Sequence, residues 1–218
     1  MSRTKNFAVI LSGCGVFDGS EIHEATLTLL AIKKQNADYE IFAPDIDQHH
    51  VINHITGKET REKRNVLVES ARIARGKIKP LSEFKASAFD GIIFPGGFGA
   101  AKNLSDYAFK GSHSKVNAEV EKAIKDMATA HKPIGALCIA PTLIAKVLGK
   151  VIVTIGNDKS TASDLEKMGA RNMITQAREV AVDKKNKIVT NPCYMLDSNI
   201  VDIAEGAENV VKEMIKLI

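Results

Sequence analysis

"PIGALCIAPTL", residues 133–143, carries a single cysteine, Cys138, where a buried-strand pattern gives way to a helical one. Pro133 opens a run of small and apolar residues too short for a helix. The stretch from 140 to 149, "APTLIAKVLG", then takes up amphipathic spacing and ends at Gly149, a helix-stopping residue. Three more runs share this form, "NFAVILSGCG" (6–15), "YEIFAPD" (39–45) and "GIIFPGG" (91–97), each closing in glycine, proline or cysteine. Helical patterns follow the first run at 20–37, with Ser20 as the expected N-cap, and the third at 116–132. Strands alternating with helices predict an α/β fold with a mostly parallel central sheet covered on both faces.

The remaining segments fit around that frame. Residues 60–76, "TREKRNVLVESARIARG", predict a helix, and "KIKPL" (77–81) a short strand. Two alternating runs at 179–192 flank a charged turn over residues 183–187 and predict a hairpin. Residues 198–218 predict a closing helix. With no repeat and no low-complexity linker, residues 1–218 read as one domain.

Composition narrows the function classes. The net charge of +4 is spread among interleaved lysines and glutamates, and the only basic cluster, "KETREKRN" (58–65), is mixed in sign, so no nucleic-acid footprint is expected. There is no apolar run long enough for a bilayer and no cleavable leader pattern, so no membrane partner and a cytoplasmic location are expected. Three sparse cysteines, Cys14, Cys138 and Cys193, predict free thiols. His50 and His54 in "QHHVINH" would stand one helical turn apart if helical. They lack the H-E-x-x-H form, and no metal site is expected.

In open parallel sheets ligands bind outside the carboxyl ends of the strands. That rule brings "SGCGVFDG" (12–19), "PGGFGAAKNL" (95–104) and "CIAP" (138–141) to one edge. The strand-to-helix turn at Cys138 has the form of a nucleophile elbow. A helix beginning just after the cysteine favours its thiolate. Gly96 and Gly97 leave backbone N–H groups free to turn toward an oxyanion, with the Ile139 amide as a further donor.

The motifs "PGGFGAAKNL", "GALCIAPTL" (135–143), "LSGCGVFDGSEIHEATLTLLAI" (11–32) and "NKIVTNPCYML" (186–196) strongly resemble the ElbB branch of the ThiJ/PfpI superfamily. That branch is also called enhancing lycopene biosynthesis protein, isoprenoid biosynthesis protein or sigma cross-reacting protein. The resemblance spans nearly the whole chain. It implies a flavodoxin-like three-layer sandwich, related to class I glutamine amidotransferase domains, and a homodimer. It also implies a reactive cysteine, matched by Cys138, hydrogen-bonded to a glutamate of the first helix. Glu24 is the favoured match and Glu21 the alternative.

One departure bears on chemistry. The amidotransferase and protease-like members place a histidine directly after the cysteine, where this chain has Ile139. His23 or His113 could approach from a loop, but nothing in the sequence brings either to Cys138. Glutamine hydrolysis and peptidase activity are therefore disfavoured. The resemblance instead implies a cofactor-independent, glutathione-independent glyoxalase III-type hydro-lyase that converts methylglyoxal or glyoxal, small carbonyl substrates, to lactate or glycolate. Cys138 would be the nucleophile and the glutamate the base, with Cys14 lining the pocket. The alternatives are a non-catalytic or redox-responsive cysteine protein and an accessory protein of isoprenoid biosynthesis.

Overall fold

The computed structural model describes residues 3–218. In chain order the regular elements are β1 (Asn6–Ile10), α1 (Ile22–Lys34), β2 (Asp38–Ala43), β3 (Ile52–Asn53), β4 (Lys58–Glu59), α2 (Val66–Ile73), β5 (Lys79–Pro80) and β6 (Gly91–Phe94). There follow α3 (Phe98–Lys102), α4 (Tyr107–Lys110), α5 (Ala118–Thr129), β7 (Ile134–Leu137), α6 (Pro141–Leu148), β8 (Ile152–Val153), α7 (Lys159–Lys167) and β9 (Arg171–Asn172). The chain closes with β10 (Ala181–Asp183), β11 (Ile188–Asn191) and α8 (Ile200–Lys216).

Seven strands form the central sheet in the order β10-β11-β7-β6-β1-β2-β5. All neighbours are parallel except the β10–β11 hairpin. Successive strand residues face opposite sides. Ile10, Phe42, Ile92, Phe94, Ile134 and Ile188 therefore meet α5 and α6 in one core. Phe7, Val9, Ile41, Ile93, Leu137 and Val189 meet α1 and α8 in the other. The result is the flavodoxin-like α/β arrangement, with the carboxyl ends of β1, β6, β7 and β11 gathered on one edge.

Several boundaries differ from the sequence expectation. Ser20 does not cap α1; its hydroxyl is buried and accepts from the Ser12 amide at 2.9 Å. Glu21 is the N-cap instead, its carboxylate accepting from the Glu24 amide at 2.7 Å. The helix expected over 60–76 is shortened to α2. Asn65 caps it through the Val68 amide, while Thr60 and Arg64 are held by backbone bonds to Val51 and Gln48. His50 and His54 lie in the β3–β4 region and not on a helix, with separate neighbours, Glu59 at 3.8 Å and Asp18 at 3.9 Å. Among the described residues, no group of three or more His, Cys, Asp or Glu is placed to hold a metal ion, and no helix is long and apolar enough to cross a membrane.

Candidate active site

Cys138 follows the last residue of β7 with φ of +58°, the left-handed region that non-glycine residues seldom occupy. Such backbone strain persists only where surrounding contacts fix it. Here the Cys138 amide donates to Asn191 O at 3.0 Å, and α6 begins at Pro141, immediately beyond the turn. The Gly97 and Ile139 amides lie beside the Cys138 sulfur and favour its charged form.

Glu24 enters from the first turn of α1 and is fully buried. One carboxylate oxygen accepts from the Gly96 amide at 3.0 Å and the other from the Tyr194 amide at 3.3 Å. The Cys138 thiol lies beside this carboxylate and favours its charged form. Gly96 is required by space: a Cβ there would stand 2.4 Å from the Cys138 Cβ and 2.5 Å from Glu24 Oε2. Gly97, at φ of +95°, would bring a Cβ to 2.2 Å from the Glu21 nitrogen.

The two glutamates thus occupy different places. Glu24 touches the thiol. Glu21 caps the helix, donates its own amide to Gly96 O at 2.9 Å, and reaches the pair only through its charge. Gly96 does not offer its N–H to an oxyanion as the sequence suggested, because Glu24 occupies it. The donors facing the sulfur are those of Gly97 and Ile139.

Electrostatics corrects a second expectation. Burial, then the Glu24 charge, push the Cys138 thiol well above its ordinary range, outweighing the Gly97 and Ile139 amides. The residue is only 8 % exposed, so a helix start alone does not make this thiol a free thiolate. Burial, then repulsion from Glu21, raise the Glu24 carboxyl to about 8, against the bonds from Tyr194, Cys138 and Gly96. The pair therefore titrates as a coupled unit. Losing one proton leaves a monoanion in which thiol–carboxylate and thiolate–carboxylic acid forms exchange a single proton.

Three residues that the sequence argument did not place at the site belong to it. The Tyr194 backbone holds Glu24, and its hydroxyl lies 2.9 Å from His23 Nδ1. Cys193, fully buried, follows β11 beside the elbow. Asn191 anchors it, accepting from the Cys193 amide at 2.9 Å and from its thiol at 3.0 Å. The only sequence signal for these was the "TNPCYM" segment within the resemblance. Cys14 lies on the β1 loop of the same edge. Burial and Glu69 raise its thiol, and its charged neighbours are Glu69, Arg72, Asp18 and Arg64, a setting apart from the Cys138–Glu24 pair. His113 sits in the 111–113 turn packed on α7, and no histidine is among the principal groups acting on Cys138 or Glu24.

Comparison with known proteins agrees with this architecture. The human glutamine amidotransferase-like class 1 domain-containing protein 3, mitochondrial, is 47% identical over 220 residues, covering 96% of this chain and 82% of that protein. The crystal structure of an isoprenoid biosynthesis protein with an amidotransferase-like domain from Ehrlichia chaffeensis superposes with a TM-score of 0.91 at 35% identity, covering 98% of this chain and 100% of that one. Glyoxalase III from Candida albicans shares the fold, with a TM-score of 0.60 at 14% identity over 96% of this chain and 97% of that one. The DJ-1/PfpI family model matches residues 15–192, and the chain belongs to the DJ-1/PfpI family.

Proposed function

We propose that this protein is a cofactor-independent glyoxalase III-type enzyme of the ElbB branch, acting on methylglyoxal or glyoxal. The observation that carries the reading is the burial of Glu24 against the Cys138 elbow, where a Cβ on Gly96 would lie 2.4 Å from the Cys138 Cβ and 2.5 Å from Glu24 Oε2, with the Gly97 and Ile139 amides beside the sulfur and no histidine among the principal groups acting on the pair. A thiol and one carboxyl suffice for an internal redox isomerisation, which moves hydrogen between adjacent carbons and needs no external electron acceptor. The 35% identity to the Ehrlichia protein supports the branch.

The reacting form is the monoanion, which accumulates as pH rises through about 8. Its thiolate adds to the aldehyde carbon, and the Gly97 and Ile139 N–H groups beside the sulfur serve as donors to the new alkoxide. Glu24 gives this oxygen its proton, completing a hemithioacetal, and is left as a carboxylate beside the former aldehyde C–H. It takes that hydrogen and returns it to the neighbouring carbon, while the C1 hydroxyl proton passes to the oxygen on C2. Water then hydrolyses the thioester, releasing lactate and restoring the thiol. A reducing compartment suits the three free thiols.

The proposal extends to a homodimer, for which Ile22 and Leu30 on α1 supply exposed apolar surface. A monomer in sedimentation equilibrium would remove that part. The test of the activity is methylglyoxal consumption without glutathione: many equivalents of lactate per protein support it, and a single equivalent or none rejects it.

A further inference from the structure

Cys193 has no part in the chemistry above, yet it lies against the elbow. Leu137 and Asn191 are register partners on the parallel neighbours β7 and β11, and Cys138 and Cys193 follow one and two residues later. Both cysteines turn left-handed, with φ of +58° and +43°, Cys138 one residue and Cys193 two residues beyond the paired ends of their strands. Cys138 and Cys193 lie in the same core on the α1–α8 side of the sheet, just past the ends of neighbouring strands, and a disulfide between them needs a Cα separation of roughly 4.4–6.8 Å. Burial, then the charges of Glu24 and Cys138, push the Cys193 thiol up, so Cys193 enters the reaction carrying its proton.

The surroundings hold Cys193 in that position. Its amide and thiol both bond to Asn191 Oδ1. The Asn191 amide group in turn donates to Ala177 O at 2.9 Å and Glu179 O at 2.6 Å, and it packs closely on Gly206 of α8, where a Cβ would lie 2.7 Å from Asn191 Oδ1. Cys138 is 8 % exposed and Cys193 is completely buried, so an incoming oxidant meets Cys138 first.

We infer that Cys193 is a resolving thiol: when a peroxide oxidises Cys138, the two cysteines close an intramolecular disulfide. In the first step the Cys138 sulfur takes one oxygen from the peroxide. The O–O bond breaks, water or an alcohol leaves with a proton, and Cys138 becomes a sulfenic acid. In the second, the Cys193 sulfur attacks that sulfur, and the hydroxyl departs as water with the Cys193 thiol proton. With hydrogen peroxide, two thiols give one disulfide and the oxidant gives two waters. The only bond lost at Cys193 is its S–H contact to Asn191. This reaction does not depend on any carbonyl turnover.

The test is intact-mass and peptide mass spectrometry of the full chain after graded hydrogen peroxide, for the wild type, Cys193→Ser, Cys193→Ala and Cys138→Ser. The wild type is expected to lose two hydrogens, to yield a Cys138–Cys193 cross-linked peptide, and to recover its starting mass on thiol reduction. Both Cys193 variants are expected to gain two oxygens at Cys138, the sulfinic acid, at peroxide levels where the wild type gains none. Cys138→Ser is expected to leave Cys193 unmodified. The wild-type measurement stands even if a variant fails to fold. A wild type that accumulates Cys138 sulfinic acid without the cross-link overturns the inference.

Discussion

The Cys138 thiol and the Glu24 carboxyl are buried together beside Gly96, and their interaction acts in opposite directions on its two ends. It steadies the Glu24 carboxylate, while the carboxylate raises the thiol. Burial raises both. The reactive form is therefore made by removing one proton from a buried pair, not by exposing an already ionised sulfur.

That burial makes stability depend on pH. The Glu24 carboxyl is raised from 4.5 to about 8 in the folded protein, so the folded state keeps a proton that the unfolded state has lost. The stability this gives is complete below pH 4.5 and falls by about 1.4 kcal/mol per pH unit as pH climbs toward 8. Glu24→Gln removes the titration. Denaturant unfolding from pH 5 to 8 is expected to show the wild type losing stability relative to Glu24→Gln, and parallel curves would contradict this.

Glu21 tunes the same group from its capping position. Glu21→Gln retains an acceptor oxygen for the Glu24 amide but removes the charge that repels the Glu24 carboxylate. The Glu24 pKa is expected to fall, moving the rise of Cys138 alkylation rate with pH to lower pH. Glu21→Ala is expected to cost in addition about 0.5–2 kcal/mol of stability through loss of the cap. An alkylation profile unmoved by Glu21→Gln would separate Glu21 from the pair.

Gly96→Ala puts a methyl group 2.4 Å from the Cys138 Cβ and 2.9 Å from Leu137 O, with backbone on one side and the acid on the other. Leu137 O is backbone, and the Glu24 carboxylate is buried and held by the Gly96 and Tyr194 amides, so the pair must separate. A destabilisation of at least about 1–3 kcal/mol, typical of overpacking, is expected in thermal or denaturant melts. Loss of lactate formation is expected with it. Full stability and activity in this variant would show that the loop has slack.

The legible parts of the fold were those written in local pattern. The runs ending at Ile10, Ala43, Phe94 and Leu137 are short, apolar and closed by glycine, proline or cysteine, and each became a sheet strand. The elbow was legible for the same reason, as a strand pattern meeting a helical one at Cys138. Glu21 and Glu24 could not be separated by spacing, because three residues apart on a helix is nearly one face. The structure separates them because Glu21, at ψ of 123°, stands just outside the helix. Cys193 and Tyr194 reach the site through the pairing of β11 with β7, a contact between strands some fifty residues apart in sequence that no local period reports. The helix α7, "KSTASDLEK", escaped notice because it buries only Thr161 and Leu165.

The most direct measurement is glutathione-free lactate formation from methylglyoxal by the wild type, Cys138→Ser and Glu24→Gln side by side, each first shown to be folded. The account predicts repeated turnover by the wild type that increases as pH passes through about 8, no turnover by Cys138→Ser, and a loss of about 10²–10⁴-fold for Glu24→Gln, the usual contribution of a proton-transfer group. Turnover that survives in Cys138→Ser, or that is indifferent to Glu24→Gln, would contradict it.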